Sequence, residues 1–374
     1  MEINFGTNNV RATIAFDWTE NANYNFANTE FWIHGTYFNG KVYFPYGATK
    51  LSLANSYKLN KQITIPNSVT NVSYMFRNCR NFNQNIQIPN SVTNTFRMFS
   101  ECSNFNQNIQ IPFITSTSGM FAGCSNFNQN IQIPNSVTNV SYMFSSCPNF
   151  NQKIQIPNSV TNTFHMFSEC SNFNQNIQIP FITSTSGMFA GCPNFNQNIQ
   201  IPNSVTEASG MFAGCSNFNQ NIQIPNSVTS TSSMFSSCPN FNQNIYLHKN
   251  LRTHVNLFAN CHNLNQNIYV RADYTSGPSM IVNLSNMFIN CNNLSDVTLS
   301  DNMQLVGSYV FTSVFRSNNS QSLNIHTGSN LAQFIINNTK CIQGNGIPEW
   351  SVIDNGYYNA LYNIYIYTNT VFPD

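Results

Sequence analysis

Cysteine returns along this chain at positions 79, 102, 124, 147, 170, 192, 215, 238 and 261, always after 22 or 23 residues. Between these cysteines one phrase recurs almost verbatim: Cys-Ser-Asn-Phe-Asn-Gln-Asn-Ile-Gln-Ile-Pro-Asn-Ser-Val-Thr-Asn, three variable residues, then Met-Phe. A fixed period of this length is the mark of a solenoid, in which each repeat contacts only its neighbours and a single core runs through the stack. Residues 85–152 also match 153–220 almost throughout, so a block of three coils has been duplicated.

Each copy divides into two halves. In Asn85-Ile86-Gln87-Ile88 the alternation predicts a short strand that buries both isoleucines and turns Gln87 outward. Pro89 has no N–H and ends it. Val72, Met75, Phe76 and Cys79 then fall at i, i+3, i+4 and i+7, which predicts a short helix or 3-10 turn with Thr70 or Asn71 as its N-cap. Phe82 turns inward before the next strand. The expected fold is an LRR-like repeat solenoid, with one short parallel strand and one short helix or 3-10 turn per coil of about 23 residues.

Non-repetitive β-rich caps are expected at both ends, because terminal repeats need covering. Residues 1–57 form an aromatic cap or docking segment, 58–291 the solenoid, and 292–374 degenerate repeats with a C-terminal cap. Strands are expected at Lys41-Val-Tyr-Phe, Val297-Thr-Leu299, Leu323-Asn-Ile325 and Asn363-Ile-Tyr-Ile-Tyr367.

Charge narrows the function. Only 7% of residues are charged and the formal net charge is +1, so the clustered Lys and Arg of a nucleic-acid interface are missing. No apolar run is long enough to span a bilayer, and Met1-Glu-Ile-Asn-Phe-Gly lacks the basic and apolar regions of a secretory signal. The six histidines form no metal-ligand or triad pattern, and no G-x-S-x-G, phosphate loop or H-E-x-x-H occurs. No enzyme, cofactor or metal is expected.

Three groups of residues stand out. The nine cysteines Cys79, Cys102, Cys124, Cys147, Cys170, Cys192, Cys215, Cys238 and Cys261 are expected as a column of free, buried thiols, since close pairs such as C-x₂₋₄-C are lacking. Gln87, Gln110, Gln132, Gln155, Gln178, Gln200 and Gln223, with Asn85 and its equivalents, would stack from coil to coil. Such rows serve as structural amide ladders, or as a face that binds sugars. Trp18, Phe31, Trp32, Tyr357 and Tyr358 mark the aromatic ends as docking segments.

Ile-Pro-Asn-Ser-Val-Thr-Asn followed by Met-Phe-Ser-Ser-Cys-Pro-Asn-Phe, as in 133–150, resembles the BspA-like leucine-rich repeats of bacterial and protozoan surface proteins. Met-Phe-Ala-Gly-Cys-Ser-Asn-Phe-Asn-Gln, at 120–129, resembles a related repeat of mycoplasma and phage-encoded surface proteins. The likeness spans roughly 60–295, with most leucines replaced by Phe, Ile and Met. It implies a right-handed solenoid and a role in adhesion or partner binding, and carries no catalytic residue. The expected function is a non-enzymatic virion surface component (fibre, decoration or tail protein) in assembly or host attachment. Its partners would be other virion or surface proteins, further copies of itself, and a host glycan or protein. The alternatives are a cell-surface adhesin and an intracellular protein-binding scaffold.

Overall fold

The computed structural model describes residues 2–7, 14–15, 29–45, 47–248, 250–270, 280–300, 303–306, 323–337, 351–353, 355–359 and 364–368. The chain divides into two compact units, Met1–Ile182 and Thr183–Asp374.

The first unit opens with short strands β1 (Glu2–Asn4), β2 (Ile14–Ala15), β3 (Thr29–His34), β4 (Val42–Tyr43) and β5 (Ala48–Ser52). β1, β3 and β5 form one parallel sheet, and β2 pairs with β4. The repeats continue from there: Tyr43 bridges to Thr64 and Lys50 to Asn71, so β4 and β5 already belong to a coil.

Within a coil the stretch read as a short helix or 3-10 turn takes the second form, as separate turns and not as a continuous helix. Val72, Tyr74, Phe76 and Asn78 give their N–H groups to the carbonyls of Asn94, Phe96, Met98 and Ser100 in the next coil, at 2.7–2.9 Å. Met75, Arg77 and Cys79 instead fold back three residues, onto Val72, Tyr74 and Phe76, at 2.9–3.0 Å. An α-helix would keep every N–H for its own carbonyl four residues back. Here alternate donors are exported along the stack, and the segment is a run of tight turns.

That alternation requires a left-handed residue before Met and another before Cys. Tyr74, Asn78, Arg97, Glu101, Tyr142, Ser146, His165 and Glu169 all have φ between 50° and 64°. Gly119 and Gly123 hold the same places at 61° and 76°. Glycine adopts this conformation without steric penalty, whereas other residues lose roughly 1–2 kcal/mol there. The copies reading Gly-Met-Phe-Ala-Gly-Cys are therefore the relaxed version of the coil. Asn71 caps no helix; its Oδ1 accepts the N–H of Ser73 at 2.8 Å in a local turn.

Two phenylalanines per coil make the core. Phe76, Phe99, Phe121, Phe144 and Phe167 stack at 5.4–5.8 Å between ring centroids, all fully buried. Phe82, Phe105, Phe127, Phe150 and Phe173 stack beside them at 6.0–6.1 Å. Ile86 is buried and Gln87 exposed, as the alternation predicts, yet no paired strand forms at Ile86–Ile88 or its equivalents through Ile222. Pro89 and its equivalents, which have no N–H to give, follow directly on this stretch, and the second phenylalanine column stacks beside it.

In the second unit the same columns continue as Phe189, Phe212, Phe235, Phe258 and Phe288, and as Phe195, Phe218 and Phe241. The second column then changes to Leu264 and Leu294. At that point strands appear: β6 (Tyr246–Leu247), β7 (Ile268–Val270) and β9 (Asp296–Leu299) pair in parallel, followed by β11 (Leu323–His326). β8 (Met280–Asn283) and β10 (Met303–Val306) extend the other side of the coils, where Ser184, Glu207, Ser230, Thr253 and Asn283 bridge in turn.

The sheet β6-β7-β9-β11 is closed by β14 (Ile364–Tyr367), parallel to β11, and by β13 (Gly356–Asn359) and β12 (Ser351–Ile353), both antiparallel. The strands expected at 297–299, 323–325 and 364–367 are thus in place. α1 (Ser329–Asn337) is the one α-helix among the described residues.

Relieving a left-handed serine should stabilise the stack, and burdening a glycine should do the reverse. Ser146→Gly is expected to raise unfolding free energy by about 1 kcal/mol. Gly123→Ala, whose new Cβ would lie 3.3 Å from the Glu101 backbone, should lower it by about 1–2 kcal/mol. Urea melts of the two variants beside the parent check both signs.

Candidate binding surface

The outer surface of the coils is built mainly of amides, and one row of them is structural. In the first unit the N–H of Asn83 and the Nε2 of Gln84 both donate to Asn60 Oδ1, at 3.0 and 2.9 Å. Asn106 and Gln107 do the same to Asn83, at 2.9 and 3.0 Å, and Asn128 and Gln129 to Asn106, both at 2.9 Å. The second unit repeats this from Asn219 and Gln220 onto Asn196 to Asn265 and Gln266 onto Asn242. The ladder therefore runs through Phe-Asn-Gln, a position earlier in the coil than the predicted Asn85 and Gln87 rows.

Gln87, Gln110, Gln132, Gln155, Gln178, Gln200 and Gln223 are all exposed, and no side-chain hydrogen bond links one to the next. Within each unit they form an open face. In the second unit Asn219, Asn240, Asn242, Asn263, Asn265 and Asn293 line a shallow groove of about 520 Å³. Its walls are two asparagine rows on either side of an inward-turned Phe241 or Leu264, both fully buried.

The thiol column is buried throughout, and each thiol has a task. Cys102 Sγ donates to the Phe76 carbonyl of the preceding coil at 2.8 Å, Cys147 to Phe121 and Cys170 to Phe144 at 3.0 Å. Cys215, Cys238 and Cys261 reach Phe189, Phe212 and Phe235 at 3.0–3.1 Å. The same phenylalanine carbonyl already accepts the N–H of the cysteine in its own coil. The thiol hydrogen thus fills the second lone pair of a buried C=O. Burial pushes Cys79, Cys147, Cys238 and Cys291 up to about 12.

The terminal aromatics divide. Phe31 is 1% exposed and packs in the core, because β3 turns it to the buried side, so it is not a docking residue. Trp32, next along the strand, is 40% exposed and carries Lys50 Nζ at 4.9 Å from its ring centroid. Tyr357 is half-buried in β13; the Tyr358 side chain and all of Trp18 lie outside the described residues. Two exposed aromatics escape the sequence reading: Phe113 at 83% and Phe181 at 78%. Each occupies the turn where other copies have Asn-Ser, and the shorter Ile-Pro-Phe copies were the available signal.

His248 and His254 are buried within one coil of the second unit. His254 Nδ1 and Thr231 Oγ1 share a hydrogen bond of 2.9 Å. Burial, with the nearby His248 adding to it, pushes His254 down to about 3. Among the described residues no group of three or more His, Cys, Asp or Glu is placed to hold a metal ion, and no helix is long and apolar enough to cross a membrane.

Comparison with known proteins places this architecture. A family model described as "Mycoplasma protein of unknown function, DUF285" matches residues 52–111, 110–200 and 178–271, together more than half of the chain. The chain belongs to this family. A model of the BspA-type leucine-rich repeat region matches residues 266–343, so the DUF285 coils continue into BspA-type ones where leucine replaces phenylalanine. No curated protein matches this DUF285 chain. Among solved structures, a leucine-rich repeat protein from Bacteroides ovatus ATCC 8483 is similar in fold, with a TM-score of 0.51 at 20% identity over 74% of this chain and 86% of that one. A leucine-rich cell surface protein from Faecalibacterium prausnitzii A2-165 has a TM-score of 0.38 at 21% identity, over 64% and 88% of the two chains. The DUF285 chain is thus a BspA-like leucine-rich-repeat solenoid.

The thiols and the buried imidazole set opposite pH limits. A folded-state pKa raised to about 12 contributes stability that is complete below the ordinary thiol range and is lost as pH rises towards 12. Equilibrium melts should therefore fall steeply above pH 9, and native protein should resist iodoacetamide at pH 8 while urea-unfolded protein reacts fully. On the acid side a depressed imidazole contributes stability above about 6.5 that is lost as pH falls towards 3. His254→Leu should flatten that acid slope by up to about 1.4 kcal/mol per pH unit, which pH-dependent urea titrations would measure.

Proposed function

We propose that this chain is a non-enzymatic, surface-displayed binding solenoid whose partners are glycans or proteins presented by another cell. The observation that carries this reading is the open face of glutamines, repeated in register above a sealed core. Gln87, Gln110, Gln132, Gln155 and Gln178 in the first unit, and Gln200 and Gln223 in the second, reach solvent without engaging one another. A solenoid presents such a face as an extended surface, and repeat proteins bind through surfaces of this kind. The membership in a BspA-like repeat family supports the same reading.

Nothing among the described groups is arranged for bond-making chemistry. Glutamate and lysine are single residues scattered through the coils, and the cysteines are buried as protonated donors. A thiol must be ionised and accessible to act as a nucleophile.

The display platform has two readings. A cell surface agrees with the family resemblance. A virion surface, where the chain would help assembly or host attachment and associate with its own copies, is favoured by the low charge and by the near-identical three-coil blocks. Immunogold labelling of intact cells and of purified phage particles from the same culture separates them. Gold on cell exteriors, removed by protease shaving, is the expected result. Stoichiometric labelling of particles would move the protein to the virion, and recovery from cytosol alone would end both readings.

A further inference from the structure

The left-handed position before Met is occupied by glycine or serine in several coils, but in the first unit two coil pairs carry bulky side chains there instead. Tyr74 and Arg97 hold φ values of 58° and 50°, and Tyr142 and His165 hold 56° and 50°. Gly119, at 61°, shows what the position accepts without strain. Each bulky residue forgoes roughly 1–2 kcal/mol that glycine would have supplied. Strained, non-glycine conformations that persist are a reason to look for function.

The side chains at these places make two matching constellations. Tyr74 meets Phe96 of the next coil at 5.2 Å and 85°, and Tyr142 meets Phe164 at 5.3 Å and 78°. Each pair is a right-angled corner of two rings, and all four rings are half-exposed. A third planar group completes each corner. The Arg97 guanidinium lies 5.6 Å from the Phe96 ring, and the His165 ring stacks on Tyr142 at 5.4 Å and 3°. A carboxylate stands one turn along in both: Glu101, paired to Arg77 at 3.5 Å, and Glu169, which accepts from Ser146 Oγ at 2.6 Å.

We propose that these two corners are binding sites for a neutral polysaccharide, one sugar ring seated at each. A pyranose offers an apolar C–H face and a rim of hydroxyls. The aromatic corner takes the face, and the flanking carboxylate, guanidinium or imidazole and hydroxyls take the rim. A protein partner would call for a broad apolar patch around its anchors. Here the rings rise alone from a surface of Asn, Gln, Ser and Thr, with only 7% charged residues in the chain. That surface suits an uncharged, hydroxyl-rich chain. The corners are three coils apart, so one linear glycan can engage both and gain from the linkage. This inference rests on the reading of the chain as a binding module and is independent of where it is displayed.

The array supplies its own replacement sequence. Ser118-Gly119 stands where Phe164-His165 stands, and Gly119 also matches Tyr142. The full chain carrying Tyr142→Gly, Phe164→Ser and His165→Gly should melt at the same or a higher temperature, because strain is removed. Affinity gel electrophoresis with laminarin, yeast mannan, galactomannan and amylose is the test. The parent chain should be retarded by at least one of these, the single-corner variant at least tenfold less, and a variant with Tyr74→Gly, Phe96→Ser and Arg97→Gly added not at all. Equal retardation of parent and variants would overturn the assignment of the site while leaving a binding role intact. No retardation of the parent by any of the four would overturn the glycan class, and a loss of retardation accompanied by a lower melting temperature would overturn the assignment of the site.

Discussion

Most side chains in these coils have a near-copy of themselves in the coil above and the coil below, and that constraint governs the rest. A residue type can fill a column only if it tolerates its own neighbour at about one coil spacing. Phenylalanine does, by parallel stacking at 5.4–6.2 Å. Asparagine does, because its Oδ1 accepts while the next coil donates. Cysteine does, because its thiol bonds a carbonyl of the preceding coil. A column of like charges does not, since each adjacent pair costs about 1 kcal/mol even in water.

The composition follows from this rule. Arg97 stands between Tyr74 and Gly119, Glu101 between Asn78 and Gly123, and Glu207 between Ser184 and Ser230. Each of these charges has a neutral residue directly above and below it in its column. The low charge is thus a condition of the architecture before it is a statement about function. The cysteines fit the same logic. Their regular spacing reflects one hydrogen-bond requirement repeated in every coil, the second lone pair of a buried phenylalanine carbonyl.

Much of this was legible in the residues. The period gave the solenoid, and the Val, Met, Phe and Cys positions with the first Ile gave a buried core, whereas the second isoleucine, expected inside, is only half-buried at Ile88, Ile111 and Ile179. The helix stayed open beside the turn because apolar residues at i, i+3, i+4 and i+7 also suit a run of turns whose alternate N–H groups leave the coil. The glycines before Met120 and Cys124 were the available clue, since glycine at both places weakens a helix and suits left-handed turns. The strand ladder was expected from Ile86 onwards because alternation marks an extended stretch whether or not its neighbours pair with it. The amide ladder was placed at Asn85 and Gln87 because each coil offers Asn-Gln-Asn-Ile-Gln, and type alone does not separate the bonded amides from the free ones.

A stack held this way leaves few places where function can be written. Most outward positions are already committed to register: Ser91 and Thr93 hydroxyls bond carbonyls of the coil before, as Asn83 and Gln84 bond theirs. The residue before each Met is different. Its backbone N–H reaches the next coil whatever side chain it carries, as Tyr74, Gly119 and Ser233 all show at 2.8 Å. Side-chain identity is therefore uncoupled from register at that point, apart from the local cost of a left-handed residue. Variation is cheap there and expensive elsewhere, so the copies differ most where the fold constrains them least. Duplicating a three-coil block then multiplies whatever those positions recognise, without any new solution to the packing of the core.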